Sequence, residues 1–166
     1  MALTDSLTGL FNRRYLMAHL GKMMSEANAG MKPLCLLIFD LDYFKNVNDT
    51  YGHGVGDEVL REFSARVSKQ LRSFDLLARL GGEEFVAVLP NIGRHTAFDV
   101  AFRLRKVIAE TPFNISSGGQ ISVTCSIGGV ILDDNINNAE AAIDRADKAL
   151  YEAKASGRNC VYFEGL

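Results

Sequence analysis

Four stretches of the chain repeat apolar residues at the spacing of an amphipathic α-helix. They are residues 12–25, 56–71, 95–110 and 138–155. Within each, apolar side chains recur every three or four positions, so one helix face can be buried while the other meets water. Asn12 suits the N-terminal cap of the first helix, and Gly157 suits the C-terminal cap of the last.

Strand-like segments lie between and after these helices. They are residues 34–39, 75–80, 84–89, 120–130 and 161–163. The first is an uninterrupted apolar run, typical of a buried strand, whereas residues 120–130 alternate apolar and polar positions. Gly81 and Gly82 join the second and third segments, which indicates a hairpin. Since strands and helices do not alternate one for one, the pattern predicts an α+β fold with helices packed on a mainly antiparallel sheet.

Composition narrows the class of protein. The 166 residues suit one domain, residues 1–166, because no Pro/Ser-rich linker divides them. The apolar share of 48% is too high for a disordered chain. The chain has 18 basic and 20 acidic residues. It therefore lacks the excess of positive charge that is typical of proteins that bind bulk nucleic acid or an anionic membrane surface. No apolar run is long enough to span a membrane, and the N-terminus lacks a signal-peptide pattern.

The cysteines add a hint about the compartment. Cys35, Cys125 and Cys160 are far apart and flanked by apolar residues. This favours buried thiols in a reducing compartment over a disulfide framework or a zinc site. We therefore expect a soluble cytoplasmic domain.

The informative charges stand at the ends of predicted strands. Asp40 and Asp42 directly follow the apolar run, and Glu83 and Glu84 lie at the predicted hairpin. Mg²⁺ binds a few carboxylate oxygens together with phosphate oxygens. Taken singly, ordinary interpretations are favoured: Asp42 caps a following helix, and the adjacent glutamates are solvated. Taken together, four carboxylates that can meet on neighbouring strands favour a cation site.

Six blocks of residues, in order along the chain, carry a resemblance to a known family. They are Asp5–Arg14 (DSLTGLFNRR), Phe39–Asp49 (FDLDYFKNVND), Tyr51–Asp57 (YGHGVGD), Gly81–Phe85 (GGEEF), Ser126–Gly128 (SIG) and Ala146–Asn159 (ADKALYEAKASGRN). Through them the chain resembles the GGDEF family, the diguanylate cyclases, over essentially its whole length. Glu83 stands at the third signature position, where the family name has Asp, and it supplies the same carboxylate.

The resemblance implies a reaction and a fold. The family joins two GTP molecules into cyclic di-GMP and releases two pyrophosphates, on a fold similar to the palm of nucleotide polymerases and the class III nucleotidyl cyclases. By matching positions, Asp40 and Glu83 are expected to bind two Mg²⁺ ions, replaceable by Mn²⁺, with help from the Leu41 carbonyl. Glu84 is expected to activate the attacking 3′-hydroxyl. A two-metal clamp suits this displacement, since it acidifies the attacking oxygen and neutralises the leaving pyrophosphate.

Matching positions also assign the contacts to GTP. Asn48 and Asp57 are expected to hydrogen-bond the guanine. The β and γ phosphates are expected to bind Lys45, Lys154 and Arg158, with backbone amides near Tyr43 and Phe44. Lys154 and Arg158 lie four residues apart near a predicted helix end, so we expect both to project from one side.

Further expectations concern partners and regulation. One active site holds one GTP while the product needs two, so catalysis is expected across a homodimer. Arg72 and Asp75 match the family's RxxD product-inhibition motif, with Arg103 as an added contact. An arginine and a carboxylate can together bind the phosphate and guanine of cyclic di-GMP. The ordinary alternative for Arg72 and Asp75 is an i, i+3 ion pair at a helix end.

The N-terminus bears on how such a domain would be controlled. The chain begins almost at the first matching block. We therefore expect an excised domain whose upstream sensory module is absent here. The full-length parent can be membrane-anchored even though this domain does not insert into a membrane.

Other functions stay open at this point. One is a non-catalytic receptor that binds cyclic di-GMP through Arg72 and Asp75. The intact motif from Gly81 to Phe85 favours catalysis, since a receptor has no need of metal ligands. A second is a regulatory GTP-binding domain, or a cyclase with a different base preference. A third is a structural α+β module, which requires that the six blocks match by accident.

Overall fold

The apolar run at residues 34–39 forms the central strand of the sheet, as its pattern predicts. A computed structural model describes residues 2–133, 136 and 138–165. Its helices are α1 (Arg13–Ala29), α2 (Phe44–Tyr51), α3 (His53–Gln70), α4 (Arg94–Glu110) and α5 (Ala139–Ala155). Its strands are β1 (Leu34–Leu41), β2 (Leu76–Gly81), β3 (Glu84–Pro90), β4 (Phe113–Asn114), β5 (Gln120–Ile121), β6 (Cys125–Leu132) and β7 (Val161–Phe163).

The main sheet of the described residues has the strand order β2-β3-β1-β6-β7. β1 is antiparallel to both β3 and β6, and β2 is antiparallel to β3. β7 runs parallel to β6, while β4 and β5 form a separate small hairpin. The prediction of an α+β fold with a mainly antiparallel sheet is therefore confirmed.

Two helical layers cover the main sheet, because alternate residues of β1 point to opposite faces. Leu37, Phe39 and Leu41 pack with α3 and α4 in one core. Leu36 and Ile38 pack with α1 and α5 in the other. β1 is buried along its full length, which explains its uninterrupted apolar run.

Helix α5 lies close against β6 because Gly128 has no side chain. A Cβ built at Gly128 would lie 2.2 Å from the backbone nitrogen of Leu150 in α5. This close approach is one reason why Lys154, in the last turn of α5, reaches Asp40 near the end of β1.

The four predicted helices are confirmed as α1, α3, α4 and α5. The Asn12 side chain caps α1 by accepting a hydrogen bond from the backbone N–H of Tyr15. Gly157 follows the end of α5 with a φ of 114°, a left-handed conformation that suits the residue after a helix. No helix in the described part of the chain is both long and apolar enough to cross a membrane.

Residues 120–130 form two strands rather than the single strand that their alternation predicts. β5 pairs with β4, and β6 begins at Cys125 in the main sheet. Between them, the Thr124 carbonyl accepts a hydrogen bond from the backbone N–H of Asp42 at 2.9 Å. This contact takes the chain out of the hairpin and into the main sheet. The alternation describes burial only as far as Cys125, since Ile121, Val123 and Cys125 are buried but Ser126 is fully buried as well.

The three cysteines are free thiols. Cys35 and Cys125 are buried, and burial raises the pKa of both thiols. Cys160 is only partly buried, so the expectation of a buried thiol is wrong at this position. Its Sγ donates a hydrogen bond to the Ala153 carbonyl at 3.1 Å, at the C-terminal end of α5.

Candidate functional site

Two neighbouring strands bring the predicted carboxylates together. Asp40 stands near the end of β1, opposite Glu84 at the start of β3. The backbone N–H of Leu41 donates to the Glu83 carbonyl at 3.3 Å, which places the hairpin against the end of β1. Lys154 donates a hydrogen bond to Asp40 and forms an ion pair with it. One corner of the sheet thus gathers Asp40, Glu83, Glu84 and Lys154.

Burial and nearby negative charges raise the pKa values of Asp40 and Glu84. Burial raises the pKa of Asp40, the hydrogen bond from Lys154 opposes the rise, and the charge of Glu83 adds to it. Burial also raises the pKa of Glu84, and the charges of Asp40 and Asp147 raise it further. Added positive charge at this corner would relieve the repulsion and favour the ionised carboxylates.

The corner fits a divalent cation that is held partly by a substrate. Among the described residues, no three His, Cys, Asp or Glu side chains converge closely enough to hold a metal ion by themselves. Mg²⁺ at nucleotide sites binds one or two carboxylates and completes its shell with phosphate oxygens and water. Asp40 and Glu83, with the carbonyl of Leu41, offer such a partial set. Their mutual repulsion is what a bound cation would offset.

Asn48 and Asp57 lie on two consecutive helices, α2 and α3, and both are partly buried. The Oδ1 atom of Asn48 is buried without a hydrogen-bond partner among the described residues. Such an atom costs free energy unless a ligand or a water molecule supplies a donor. A Cβ built at Gly56 would lie 1.9 Å from this Oδ1, so glycine at this position leaves the room that the amide needs.

The predicted phosphate-binding groups lie at the start of α2, in the last turn of α5 and in the turn after α5. Tyr43 precedes α2 with a φ of 56°, in the left-handed region. Phe44 is buried at the start of α2, whereas Lys45 is exposed. The Arg158 guanidinium lies 5.0 Å from the centre of the Tyr43 ring. α5 ends one residue after Lys154, and Arg158 lies beyond it with a φ of 63°. The helical spacing from which we expected both side chains to project from one side therefore does not apply.

Asp42 does not cap the helix that follows it, so this interpretation of the sequence is wrong. α2 begins after Tyr43 and has no side-chain cap. Asp42 is buried, with only 6% of its surface exposed. Its carboxylate accepts hydrogen bonds from Ser126 Oγ at 2.6 Å, Thr124 Oγ1 at 2.7 Å and the Asn159 backbone N–H at 2.9 Å. Asp42 thereby joins the end of β1 to β6 and to the turn after α5.

Arg72 and Asp75 lie in the turn between α3 and β2. Arg72 Nη2 donates to Asp75 Oδ1 at 2.7 Å and to the Pro90 carbonyl at 2.9 Å, so the ordinary ion pair is present. The same two residues line a surface cavity of about 290 Å³ together with Arg103 from α4. The Arg72 guanidinium also lies 4.5 Å from the ring centre of Phe74. The three predicted residues therefore meet around one open cavity.

Sequence reasoning missed the connection between the N-terminal segment and the hairpin. Arg79 in β2 donates from Nε to the Gly82 carbonyl at 2.9 Å and forms an ion pair with Asp5 at 3.2 Å. Asp5 also accepts from the backbone N–H and the hydroxyl of Thr8, at 2.9 and 2.7 Å. Asp147, which acts on the pKa of Glu84 from α5, was missed as well. The sequence signal for the connection through Arg79 was the presence of a basic residue in the strand just before Gly81 and Gly82.

Comparison with known proteins gives matches over nearly all of the chain. A family model described as "Diguanylate cyclase, GGDEF domain" matches residues 2–160. The response regulator PleD of Caulobacter vibrioides is 44% identical over 162 residues, which cover 97% of this chain and 36% of PleD. The chain thus spans just over a third of the length of that curated relative.

Solved structures share the fold. The GGDEF domain of DgcB from Caulobacter crescentus, in complex with c-di-GMP, aligns with a TM-score of 0.93 at 31% identity, over 98% of this chain and 96% of that one. The active GGEEF domain of a diguanylate cyclase from Vibrio cholerae aligns with a TM-score of 0.85 at 33% identity, over 93% and 97%. These matches confirm the palm-like α+β fold that was predicted.

Proposed function

The chain belongs to the GGDEF family, and from this premise we propose that it is a diguanylate cyclase domain, which joins two GTP molecules into cyclic di-GMP and releases two pyrophosphates. The observation that carries the proposal is the corner where Asp40, Glu83 and Glu84 meet Lys154. Carboxylates beside a lysine suit a triphosphate and the cations that accompany it. The Vibrio cholerae domain, which has the same fold and is described as active, supports the same reaction.

In the free protein, Lys154 neutralises the buried charge of Asp40. When GTP binds, Asp40 and Glu83, with the Leu41 carbonyl, would hold two Mg²⁺ or Mn²⁺ ions, and Lys154 would turn to the β and γ phosphates. The bound ions would acidify the attacking 3′-hydroxyl and neutralise the leaving pyrophosphate. Glu84 stands opposite Asp40 with a raised pKa, which suits a group that takes up the proton of that hydroxyl.

The rest of the phosphate site comes from the start of α2 and from the turn after α5. The backbone N–H groups of Tyr43 and Phe44 lie at the N-terminus of α2, where unpaired amides favour an anion. Lys45 in α2 and Arg158 beside the Tyr43 ring add positive charge. These groups hold the phosphates in line for displacement, and such positioning supplies much of the catalysis in phosphoryl transfer.

Asn48 and Asp57 would select guanine. The base offers N1–H and N2–H₂ donors, which the Asp57 carboxylate accepts, while the Asn48 amide can both donate and accept. The unpaired Oδ1 of Asn48 supports this role, because it leaves hydrogen-bonding capacity for a ligand. Adenine lacks this pattern of donors.

Catalysis would take place between two copies of the domain. Each copy holds one GTP, so two copies must face each other for the 3′-hydroxyl of one nucleotide to attack the α-phosphorus of the other. Product would then inhibit by binding at Arg72, Asp75 and Arg103. An upstream sensory module in a longer parent protein would control the pairing, and the cytoplasm would supply the GTP.

The proposal is tested by incubating the protein with GTP and Mg²⁺ and separating the products by chromatography. The native protein is expected to form cyclic di-GMP. Asp40→Ala and Glu83→Ala are expected to lower the rate by about a hundredfold or more, because each removes charge stabilisation from the reacting centre. Asp144→Asn, at an exposed position of α5, is the matched control. Undiminished product from both alanine variants would refute the metal assignment.

A second candidate is a non-catalytic receptor for cyclic di-GMP. The cavity lined by Arg72, Asp75 and Arg103 favours it, and the DgcB domain was solved in complex with c-di-GMP. Calorimetry with cyclic di-GMP separates the two candidates when it is combined with the turnover assay. Binding of cyclic di-GMP by a protein that makes none from GTP would establish the receptor.

A further inference from the structure

Two turns that contain left-handed residues meet at the carboxylate of Asp42. Tyr43, directly after Asp42, has a φ of 56°. Arg158 and Asn159, in the turn after α5, have φ values of 63° and 47°. Such conformations are costly for residues such as tyrosine and arginine and persist only where the surrounding contacts hold them. Contacts that hold both turns must therefore exist here.

Asp42 supplies those contacts. Its Oδ2 accepts from the Asn159 N–H at 2.9 Å, and its own N–H donates to the Thr124 carbonyl at 2.9 Å. The hydroxyls of Ser126 and Thr124 hold the same carboxylate from the side of β6. Both carboxylate oxygens thus accept hydrogen bonds from neutral protein donors. These bonds allow Asp42 to act in GTP binding through the residues that it holds.

Arg158 is the functional group on the turn that Asp42 holds. Its guanidinium lies 5.0 Å from the centre of the Tyr43 ring. Arg105 in α4 holds the turn from the other side, by donating to Asn159 Oδ1 at 2.9 Å. The turn is therefore fixed from β1 and from α4 at once, with the Arg158 side chain lying on the Tyr43 ring.

We propose that Asp42 is a positioning residue for the triphosphate. It fixes the turn that carries Arg158 against the turn that carries the backbone amides of Tyr43 and Phe44, and so sets the spacing between two sides of the phosphate site. The inference rests on the proposed function only in that these groups bind the phosphates of GTP. In this role Asp42 neither binds a metal ion nor transfers a proton.

Equilibrium binding of 3′-deoxy-GTP, which lacks the attacking hydroxyl and cannot react, tests the inference. Asp42→Ala is expected to weaken this binding about tenfold, the effect of one misplaced charged hydrogen bond. The affinity for 3′-deoxy-GMP should not change, because the monophosphate does not reach the β and γ positions. Asp42→Asn is expected to keep most of the affinity, since an amide can accept from Asn159 and donate to the Ser126 hydroxyl.

A double variant gives the sharpest comparison. A residue that acts through Arg158 has no further effect once the guanidinium is gone. Asp42→Ala combined with Arg158→Ala is therefore expected to bind 3′-deoxy-GTP as weakly as Arg158→Ala alone. Losses that add in the double variant would overturn the proposal.

Other results would overturn it as well. If Asp42→Asn is as harmful as Asp42→Ala and also weakens Mg²⁺ binding, Asp42 is a metal ligand. If both nucleotides lose affinity equally, the defect is a general loss of structure. If neither loses affinity, Asp42 has no part in binding.

Two further variants keep the test interpretable. Ser126→Ala removes one of the three donors to Asp42 and is expected to give a smaller loss for 3′-deoxy-GTP alone, even where Asp42→Ala does not fold. Asp144→Asn is the matched control for charge. A native protein that binds 3′-deoxy-GTP but makes no cyclic di-GMP would refute the proposed function and leave this inference standing.

Discussion

At the scale of single residues, Gly56 and Asn48 share a space that has no room for another side chain. Gly56→Ala is expected to raise the KM for GTP about tenfold, because its Cβ would stand 1.9 Å from Asn48 Oδ1 and turn the amide away from the guanine. Gly54→Ala is the matched control in the same helix, since a Cβ there meets nothing within 4 Å. Equal KM values for the two variants would contradict the guanine assignment of Asn48.

The raised pKa of Glu84 links stability to pH. The folded protein keeps the Glu84 proton to a higher pH than the unfolded chain does, so stability is lost as the pH rises above the ordinary value of 4.5. Glu84→Gln removes the charge and is expected to raise the Tm at pH 8 while lowering turnover. This gain in Tm should shrink towards pH 4, where the native carboxyl is protonated.

Differential scanning calorimetry at several pH values measures this effect. Glu152→Gln, at an exposed position of α5, is the control and should leave the Tm almost unchanged at every pH. A Glu84→Gln protein that is less stable than the native one at pH 8 would show that the Glu84 charge is stabilising, contrary to the burial and repulsion described above.

Some residue roles could be predicted from the sequence and others could not. The strand pattern placed Asp40 and Glu83 at element ends, because Asp40 directly follows the apolar run of a buried strand and Glu83 directly follows the two glycines of the hairpin. The partners of Asp42 lie in β6 and in the turn after α5, far away along the chain. The end of α5 before Arg158 was predictable, because Gly157 indicated a C-terminal cap. Long-range hydrogen bonds such as those of Asp42 leave no local pattern.

At the scale of elements, the β2–β3 hairpin is held by the N-terminal segment. Arg79 connects the Gly82 carbonyl to Asp5. Arg79→Ala is expected to free the hairpin and to lower the initial rate about tenfold, since hydrogen bonds to charged groups contribute about 1.5–3 kcal/mol each. Hydrogen exchange of residues 80–86, measured by mass spectrometry, should become faster in the same variant.

Arg61→Ala removes an exposed arginine of α3 and is the control for this change. It should leave both the exchange of the hairpin and the rate as they are in the native protein. Native exchange together with a native rate in Arg79→Ala would show that the tether to Asp5 does not hold the hairpin.

The long elements were predictable because their apolar periodicity runs over many residues. α2 was assigned no range, since it has eight residues and begins after a left-handed tyrosine without a side-chain cap. The break between β5 and β6 was hidden because the alternation of burial continues through Val123. At the break, the Thr124 carbonyl accepts a hydrogen bond from the Asp42 N–H, a long-range contact that leaves no pattern in the sequence.

At the scale of the whole molecule, the cavity lined by Arg72, Asp75 and Arg103 shares no lining residue with the carboxylate corner. Arg72→Ala is expected to raise the concentration of cyclic di-GMP needed for inhibition about tenfold. The substitution removes a guanidinium whose paired N–H groups can donate two hydrogen bonds to one phosphate. Steady-state rates with added cyclic di-GMP measure this. Lys69→Ala, in the last turn of α3, is the control, and unaltered inhibition in Arg72→Ala would place the inhibitory site elsewhere.

In the proposed reaction, two copies of the domain join two GTP molecules. Cyclic di-GMP and pyrophosphate, measured together from GTP and Mg²⁺ over a wide dilution series of the protein, test this pairing. We expect two pyrophosphates for each cyclic di-GMP and a rate per subunit that falls as the protein is diluted. Pyrophosphate without cyclic di-GMP, or a rate per subunit that stays constant below any measurable dimer, would contradict it.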